Sequence, residues 1–338
     1  MKAIVVDKDY GSAKPEEIEK IRKIYTSQGI EFEACHFISE DEIIQGCKEA
    51  DAILCTGNPP ITRKVMEALP KLKYVQRFGI GVNSIDLEAA SELNKIILNI
   101  PGFCAKELAD LSSSFILGLI RNTVYYDREI RKGNWPKCQY LLPLDLRELT
   151  LGLYGFGSAG QHLYQTIHDG WKTKIIACDP YLPENIKEQY SDIEFVDFDT
   201  LVKESDIISI HVGLTKETRH IFNRDVFRQM KNNALIINTA RGPIINQEDL
   251  AWALENGEIR GAGLDTVEKE PIDPKDPLLK MDNVILSAHC GSYGVGAKKT
   301  QIDTVCRLIP QAVYEKKLPA RNVANKSVMK KSFGIKFF

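Results

Sequence analysis

A glycine motif directly after an apolar run constrains the fold of this chain more than any other feature. Residues 151–154 are largely apolar, and Gly155, Gly157 and Gly160 follow with the spacing G-x-G-x-x-G. At a strand–turn–helix junction, the first glycine permits a tight turn, the second lets the backbone approach a pyrophosphate, and the third allows close contact between helix and strand. The N–H groups at the start of the helix would then point at the phosphates. The motif therefore predicts a βαβ unit that binds a dinucleotide.

An acidic residue suited to binding the adenosine ribose follows at the expected distance. The next predicted strand, residues 174–178, ends at Asp179, about 20 residues after Gly160. Its carboxylate can accept hydrogen bonds from both ribose hydroxyls of NAD and would repel the additional phosphate of NADP. Pro180 and Tyr181 come next, so no arginine is present to accept that phosphate. We therefore expect NAD as the cofactor.

Short β-rich runs alternate with helical patterns in both halves of the chain. Strands are predicted at residues 3–6, 32–35, 52–55, 74–77 and 96–98, and again at 151–154, 174–178, 207–211, 234–238, 261–264 and 284–287. Alternation at this pitch predicts parallel sheets that are covered by helices on both faces. We expect an α/β protein with two Rossmann-like or flavodoxin-like parallel-sheet domains and a cleft between them.

The order of these elements predicts that one domain is discontinuous. The amphipathic stretch 294–315 comes after the second sheet is complete, and we expect it to cross back to the first domain. The prediction is a substrate-binding domain at residues 1–102 plus 292–338 and an NAD-binding Rossmann domain at residues 103–291.

The sequence also allows predictions for the segment between the two sheets and for the C-terminal tail. A long apolar helix and a polar, aromatic arm at residues 104–149 are expected to lie between domains or between subunits, which makes this segment a candidate dimer contact. The basic tail at residues 326–338 is expected to pack loosely, as chain termini commonly do.

Composition and charge exclude several classes of function. The chain has 44 Lys plus Arg against 46 Asp plus Glu, a net charge of −2, so we expect no nucleic-acid partner. No apolar run approaches the ~18 residues that span a bilayer, and the apolar start ends at Asp7, too early for a signal peptide. The eight cysteines include no C-x-x-C pair. We expect a cytoplasmic protein with reduced thiols, no membrane partner and no metal site.

Three residues with suitable chemistry lie shortly beyond predicted strands of the second half: Arg241, Glu270 and His289. Ligands of open parallel sheets bind beyond the carboxyl ends of the strands, so all three are expected at the edge that binds the dinucleotide. An imidazole can donate or accept a proton near neutral pH, and a neighbouring carboxylate stabilises its charged form. A guanidinium binds a carboxylate in a planar fork. Glu268 is the alternative to Glu270.

These motifs, in the order in which they follow one another along the chain, resemble those of the NAD-dependent D-isomer-specific 2-hydroxyacid dehydrogenase family. The similarity extends from about residue 72 to residue 325. Beside the glycine motif it rests on Asn-Thr-Ala-Arg-Gly at 238–242, Gly-Leu-Asp at 263–265 ahead of a Glu-Pro pair, and the histidine loop. The resemblance implies interconversion of a 2-keto acid and a D-2-hydroxy acid by hydride transfer with NAD, and a homodimer.

The resemblance also assigns roles to residues. It makes His289 the acid and base, Glu270 its partner because of the spacing before Pro271, and Arg241 the ligand of the substrate carboxylate and carbonyl. The implied cofactor-binding residues are Gly155, Phe156, Gly157, Ser158, Ala159, Gly160, Asp179, Val212, Gly213, Thr218, Thr239 and Asp265. A Gly-rich loop after the strand at 74–77 can present N–H groups to a carboxylate, and the implied substrate-binding residues are Arg77, Gly79 and Ile80.

Two alternatives stay open at the level of the sequence. Gly213 stands where most family members have proline, which is similar to the C-terminal-binding-protein branch and allows a non-catalytic, NAD(H)-sensing, corepressor-like scaffold. Ser292 favours an enzyme, because those corepressors carry tryptophan there. The other alternative is a phosphoglycerate or hydroxypyruvate dehydrogenase. A phosphate-bearing substrate needs basic side chains in the first domain, where Arg77 and Arg63 are the candidates.

Overall fold

In a computed structural model, the chain divides into two compact units. The structure describes residues 1–7, 13–135, 142–331 and 334–338. Unit 1 comprises Met1–Phe103 and Val295–Phe338, and unit 2 comprises Cys104–Gly294. The chain therefore leaves unit 1 after Phe103 and returns to it at Val295.

The first part of unit 1 forms a five-stranded parallel sheet. Its strands are β1 (Lys2–Val5), β2 (Glu31–Ala34), β3 (Ala52–Cys55), β4 (Tyr74–Arg77) and β5 (Ile96–Leu98), in the order β2-β1-β3-β4-β5. The helices between them are α1 (Pro15–Ser27), α2 (Glu40–Gly46), α3 (Arg63–Ala68) and α4 (Leu87–Glu92). Helix α1 buries Ile18, Ile21 and Tyr25 on one face, as a helix with apolar residues at this spacing should.

Unit 2 contains a seven-stranded parallel sheet. Helices α5 (Ala105–Ile120) and α6 (Thr123–Arg131) precede it. The strands are β6 (Thr150–Tyr154), β7 (Lys174–Cys178), β8 (Glu194–Phe195), β9 (Ile207–Ile210), β10 (Leu235–Asn238), β11 (Gly261–Leu264) and β12 (Val284–Leu286). Their order is β12-β11-β10-β9-β6-β7-β8. The helices that follow are α7 (Ser158–Trp171), α8 (Glu184–Lys187), α9 (Phe198–Glu204), α10 (Arg224–Phe227) and α11 (Gln247–Glu255).

This strand order places the glycine motif at the reversal point of the sheet. Strand β6 lies in the interior of the sheet, with β7 on one side and β9 on the other, and ligands of such sheets bind where the order reverses. On one face, α5 packs closely because β11 is glycine-rich: a Cβ on Gly263 would lie 2.7 Å from Cβ of Phe115. Nine of the residues of α5 are buried, which explains why this helix is apolar along most of its length.

The last part of the chain completes unit 1. Helix α12 (Val295–Pro310) packs on α1, where the hydroxyl of Tyr25 donates to the carbonyl of Val305 at 2.9 Å. The short strands β13 (Lys317–Leu318) and β14 (Lys336–Phe337) pair with each other. Near the end of the chain Val328 is buried in the main core of the unit.

The prediction of a loosely packed tail is therefore wrong. Val328, Met329, Ile335 and Phe337 pack in or against the core of unit 1, and Nζ of Lys331 donates to the side chain of Asn94 at 2.7 Å. The α/β class with two parallel sheets is confirmed. Part of the predicted dimer arm, residues 136–141, lies outside the described residues. In the part of the chain that the structure describes, no helix combines the length and apolar character needed to cross a bilayer.

Candidate active site

Two of the three predicted catalytic residues are in direct contact beyond the carboxyl ends of β11 and β12. Nδ1 of His289 lies 2.7 Å from Oε2 of Glu270. The other carboxylate oxygen of Glu270 accepts a hydrogen bond from the backbone N–H of Val267 at 3.3 Å. Both side chains are partly exposed. No described residue bonds to Nε2 of His289, so this nitrogen is the atom of the pair that can exchange a proton with a ligand.

The charge state of Glu270 follows from its surroundings. Burial alone would raise the pKa of this carboxyl group. The hydrogen bond and charge of His289, the N–H of Val267 and the charge of Arg241 together outweigh burial, so the pKa of Glu270 is lowered from 4.5. Glu270 is therefore a carboxylate near neutral pH and stabilises positive charge on His289.

Asp265 fixes the loop that carries His289. One carboxylate oxygen accepts from the hydroxyl of Ser287 at 2.6 Å and the N–H of Cys290 at 2.8 Å, and the other accepts from Gly291 at 2.9 Å. The carbonyl of Asp265 accepts from the N–H of His289 at 2.8 Å. Asp265 is only 2% exposed. The structure thus places this predicted cofactor-binding residue against the histidine loop, where its carboxylate is fully engaged.

Two backbone features explain why this loop needs its particular sequence. His289 has φ of +52°, a left-handed conformation that side-chain-bearing residues adopt only when the surroundings enforce it. A Cβ on Gly291 would lie 2.8 Å from the Asp265 carboxylate. A larger residue at 291 would therefore push the acceptor away from the loop. Neither Ser287 nor Gly291 was among the predicted site residues, because no sequence pattern marks their roles.

Arg241 follows β10 in a loop that Asn238 holds. The amide nitrogen of Asn238 donates to the carbonyl of Arg241 at 2.9 Å, and its amide oxygen accepts from the N–H of Ala240 at 3.0 Å. Next in the chain, Gly242 packs on the loop after β11, since a Cβ there would lie 1.9 Å from the carbonyl oxygen of Val267. The Arg241 loop and the Glu270 loop are thus in contact through backbone.

Glu268, the alternative to Glu270, has a different partner. Its Oε1 lies 2.6 Å from Nε2 of His220. Its Oε2 accepts from the N–H of Gln247 at 3.2 Å, and its own N–H donates to the side chain of Gln247 at 2.8 Å. The geometry therefore favours Glu270 as the partner of His289. It also reveals a second histidine–glutamate pair, which was not among the predicted site residues.

The glycine motif has the local geometry that a dinucleotide requires. Gly155 has φ of +96°, and a Cβ on Gly160 would lie 2.5 Å from the carbonyl oxygen of Gly155. A Cβ on Gly157 would meet no atom within 4 Å, so this side of the loop is open. Helix α7 begins at Ser158, and Ala159 lies in its first turn, where unpaired N–H groups favour an anion. These residues fit a bound pyrophosphate.

Asp179 lies beside this motif, at the end of β7. Its carboxylate accepts from the N–H of Phe156 at 2.9 Å and from the N–H of Tyr181 at 3.1 Å. The ring of Phe156 is fully buried, so this predicted cofactor-binding residue offers only its backbone to a ligand. The carboxylate of Asp179 is thus partly exposed beside the glycine motif.

The loop after β9 borders the glycine motif, since a Cβ on Gly155 would lie 2.9 Å from Val212. Within this loop the hydroxyl of Thr218 donates to the carbonyl of Gly213 at 2.8 Å. Nε2 of His211 lies 2.9 Å from the hydroxyl of Ser209. Burial lowers the pKa of His211 to about 4, so this residue is neutral at physiological pH.

Thr239 is the last predicted cofactor residue of unit 2. It is buried, and its hydroxyl lies 3.0 Å from that of Ser112 on α5. Its side chain thus links the end of β10 to α5. Only the backbone of Thr239 can therefore contact a ligand. Among the described residues no group of His, Cys, Asp and Glu side chains could hold a metal ion.

In unit 1, the loop after β4 carries the predicted substrate-binding residues. Nε of Arg77 donates to the carbonyl of Gly81 at 2.7 Å. The carbonyl of Gly79 accepts from the N–H of Ile100, and that of Ile80 accepts from the side chain of Asn99. Within the described residues, the N–H groups of Gly79 and Ile80 donate to no acceptor. Two neighbouring N–H donors are therefore available to a carboxylate.

Comparison with known proteins identifies the family. Residues 113–291 match the model of the D-isomer specific 2-hydroxyacid dehydrogenase, NAD binding domain. The chain belongs to the D-isomer-specific 2-hydroxyacid dehydrogenases. It is an NAD-dependent oxidoreductase that acts on CH–OH donors, and the glycine motif lies within the matched NAD-binding domain.

Relatives of this dehydrogenase are similar over most of the chain. It is 35% identical over 295 residues to a glyoxylate reductase from Thermofilum pendens, covering 86% of each chain. It is 36% identical over 289 residues to a hydroxypyruvate reductase from Thermotoga maritima, covering 84% of this chain and 92% of that one. A solved glyoxylate reductase from Paecilomyes thermophila superposes with a TM-score of 0.82 at 25% identity, covering 93% of this chain and 96% of the other.

Proposed function

We propose that this dehydrogenase reduces a small, unphosphorylated 2-keto acid with NADH to the corresponding 2-hydroxy acid. The observation that carries the proposal is the 2.7 Å contact between His289 and Glu270 at the carboxyl edge of the sheet. Two of its relatives are named glyoxylate reductase and hydroxypyruvate reductase, which supports a substrate of two or three carbons.

In the proposed chemistry, bound NADH supplies a hydride to the carbonyl carbon of the keto acid. Nε2 of His289 donates a proton to the carbonyl oxygen, and the same nitrogen accepts that proton in the reverse direction. Glu270 stabilises the imidazolium through Nδ1 and holds the ring in one orientation. Arg241 binds the substrate carboxylate and polarises the carbonyl. Asp265 keeps the histidine loop in place for both directions.

Unit 2 is proposed to bind the cofactor and unit 1 the substrate. The proposed cofactor contacts are the backbone of the glycine motif for the pyrophosphate and Asp179 for the ribose. In unit 1, the N–H groups of Gly79 and Ile80 are proposed to bind the substrate carboxylate. The two unbonded donors described above support this role.

A phosphorylated substrate is disfavoured by the charges of unit 1. Of the two candidate cations, Arg63 lies 2.7 Å from Glu92 and 3.7 Å from Glu67. Its charge is therefore offset by two carboxylates, and Arg77 alone remains near the substrate loop. A dianionic phosphate is normally bound by more than one cation or helix terminus.

We further propose a cytoplasmic homodimer. Large apolar side chains are exposed on both sides of residues 136–141, namely Ile130, Trp135 and Leu142, and such surface in one region is typical of an interface. All seven described cysteines are free thiols, as expected in a reducing compartment. Sedimentation of the purified protein at micromolar concentration tests the dimer: a monomer would contradict it.

The experiment that tests the function is NADH oxidation by the purified protein with glyoxylate, pyruvate, hydroxypyruvate, phosphohydroxypyruvate and branched 2-keto acids. We expect turnover of the two- and three-carbon unphosphorylated acids. Preference for phosphohydroxypyruvate would contradict the substrate class. Tight binding of NADH without turnover of any acid would contradict the enzymatic proposal and favour the scaffold alternative.

A further inference from the structure

The loop after β4 bonds to the rest of unit 1 through only one kind of backbone group. The carbonyl groups of residues 78–81 each accept a hydrogen bond, whereas the N–H groups of residues 79–81 donate to no acceptor among the described residues. A Cβ on Gly79 would meet no atom within 4 Å, so the backbone borders open space there. The loop therefore uses its acceptors to bind the protein and keeps its donors available for a ligand.

The first of these carbonyl groups is held by a side chain of α12. The carbonyl of Phe78 accepts from Nε2 of Gln301, a residue 223 positions away in the sequence. A carbonyl oxygen can only accept, so the amide must present its NH2 group to it. Gln301 is 9% exposed, and its neighbour Ile302 lies with Phe78 in the main core of unit 1. The helix therefore gives this amide a fixed position.

Holding the carbonyl of Phe78 also sets the direction of the N–H of Gly79. These two groups belong to the same peptide unit, and the peptide bonds of residues 78–82 are trans. In a planar trans peptide the C=O and N–H bonds point in opposite directions. Because the carbonyl of Phe78 points at the amide of Gln301, the N–H of Gly79 points away from it. Gln301 thus aims a donor that it does not itself contact.

Asn99 acts in the same way on a later peptide of the loop. Its Nδ2 donates to the carbonyl of Ile80 at 2.8 Å, which sets the direction of the N–H of Gly81. The peptide in between is held by backbone, since the N–H of Ile100 donates to the carbonyl of Gly79 at 3.1 Å. Two side chains therefore hold the peptides on either side of one that the backbone holds.

The amide of Gln301 is only half satisfied, which is unusual for a buried group. Its Oε1 is buried and has no hydrogen-bond partner among the described residues, although buried polar groups are normally bonded. A methionine of similar length would fill the same place without an unpaired oxygen. The bond to the carbonyl of Phe78 is therefore what a polar residue contributes at position 301.

This inference rests on the proposed function, in which the loop binds the substrate carboxylate. We propose that Gln301 is a positioning residue for that carboxylate, with Asn99 in the same role on the second peptide. Neither side chain touches the keto acid in this arrangement. Each aims a backbone donor whose partner is the carboxylate, so the loss of either should weaken substrate binding and leave the steps at the carbonyl carbon largely unchanged.

The test is Gln301→Met, which removes the amide and keeps the length of the side chain. We expect KM for the best keto acid to rise about tenfold, a change of about 1.4 kcal/mol that matches the loss of one hydrogen bond. The inhibition constant of oxamate, a carboxylate that cannot accept a hydride, should rise by the same factor. The value of kcat should change less than about threefold, and the Kd for NADH less than about twofold.

Stability gives a readout that separates positioning from a structural role. Gln301→Met removes one unpaired acceptor, Oε1, and leaves another, the carbonyl of Phe78, so the urea midpoint should stay close to that of the wild-type protein. Gln45→Met makes the same exchange on the exposed surface of α2. This control variant should keep the wild-type KM, kcat and inhibition constant.

The outcomes distinguish this inference from the function on which it rests. An unchanged KM and oxamate constant in folded Gln301→Met would overturn the inference. A parallel loss of kcat, NADH affinity and stability would also overturn it, because Gln301 would then be a structural residue. If Gln301→Met does not fold, Asn99→Leu should show the same rise in KM with kcat retained, and its absence would overturn the inference. No turnover of any keto acid by the wild-type protein would instead refute the proposed function.

Discussion

Glu268 and Glu270 are separated by a single residue, yet each carboxylate lies against a different histidine. Glu268 is 2.6 Å from Nε2 of His220, and Glu270 is 2.7 Å from Nδ1 of His289. The first pair is further tied to Gln247, whereas Nε2 of His289 has no partner among the residues that the structure describes. The Glu268–His220 pair thus anchors the loop, and the Glu270–His289 pair can exchange a proton with a ligand.

This division of roles predicts different effects of two matched substitutions. Glu270→Gln should lower kcat about 100-fold, because the imidazolium loses its counter-charge while the size of the side chain is kept. Glu268→Gln should lower kcat less than about tenfold, since an amide can still bond to His220. Steady-state kinetics of the two variants side by side measure this. Equal losses would argue against separate roles.

Asp265 is predicted to act through the histidine loop. In Asp265→Asn one of the two acceptor oxygens becomes a donor that faces the N–H of either Cys290 or Gly291, so the loop should loosen. We expect kcat to fall about tenfold and the free energy of unfolding to fall by about 1–3 kcal/mol. Asp273→Asn, in the exposed loop before residue 277, is the control. Unchanged kcat in Asp265→Asn would show that the loop does not need this carboxylate.

Asp179 is predicted to set the cofactor preference. Asp179→Ala removes the acceptor for the ribose hydroxyls and the charge that would repel the phosphate of NADPH, so the NADH-to-NADPH ratio of kcat/KM should fall at least about tenfold. Asp169→Ala, at the exposed end of α7, should keep the wild-type ratio. If Asp179→Ala also keeps the wild-type NADH-to-NADPH ratio, a group other than Asp179 binds the ribose.

Burial of His211 should make the free energy of unfolding depend on pH. Its pKa is lowered from 6.5 to about 4 by burial, so between these pH values the unfolded chain binds a proton here that the folded chain does not. The free energy of unfolding should therefore fall as pH drops through this window, by on the order of 2 kcal/mol from His211 alone. His211→Asn should lose that part of the dependence. Urea unfolding of both proteins at pH 7.5 and pH 5 measures this change. An equal loss of the free energy of unfolding in the wild-type protein and in His211→Asn would contradict the prediction.

Much of the fold could be predicted from the sequence because its longer strands are apolar runs between clear breaks. The strands at 52–55, 74–77, 96–98, 174–178 and 261–264 match their predicted limits. The strands predicted at 3–6 and 32–35 are shifted by one residue at both ends, and the other predicted strands differ by one residue at one end. The two-residue strands β8, β13 and β14 were missed, because a pair of residues has no periodicity. The tail packs through contacts with distant parts of unit 1, which a local pattern does not encode.

The candidate site shows the same limit. Placement of Arg241, Glu270 and His289 beyond strand ends followed from the pattern alone, since parallel strands bring their carboxyl ends to one edge. The choice between Glu268 and Glu270 depends on which histidine each side chain faces, and the strand pattern does not determine that. Only the family resemblance, through the spacing before Pro271, favours Glu270. The burial of Asp265 likewise arises only when separate strands are assembled.

In the proposed reaction, Nε2 of His289 exchanges the proton with the substrate oxygen. The most direct test of this step is single-turnover NADH oxidation by His289→Asn with the best keto acid, together with the Kd for NADH. We expect a rate about a thousandfold below that of the wild-type protein, with the Kd for NADH within about twofold of the wild-type value. A variant that keeps more than about a tenth of the wild-type rate would contradict the claim.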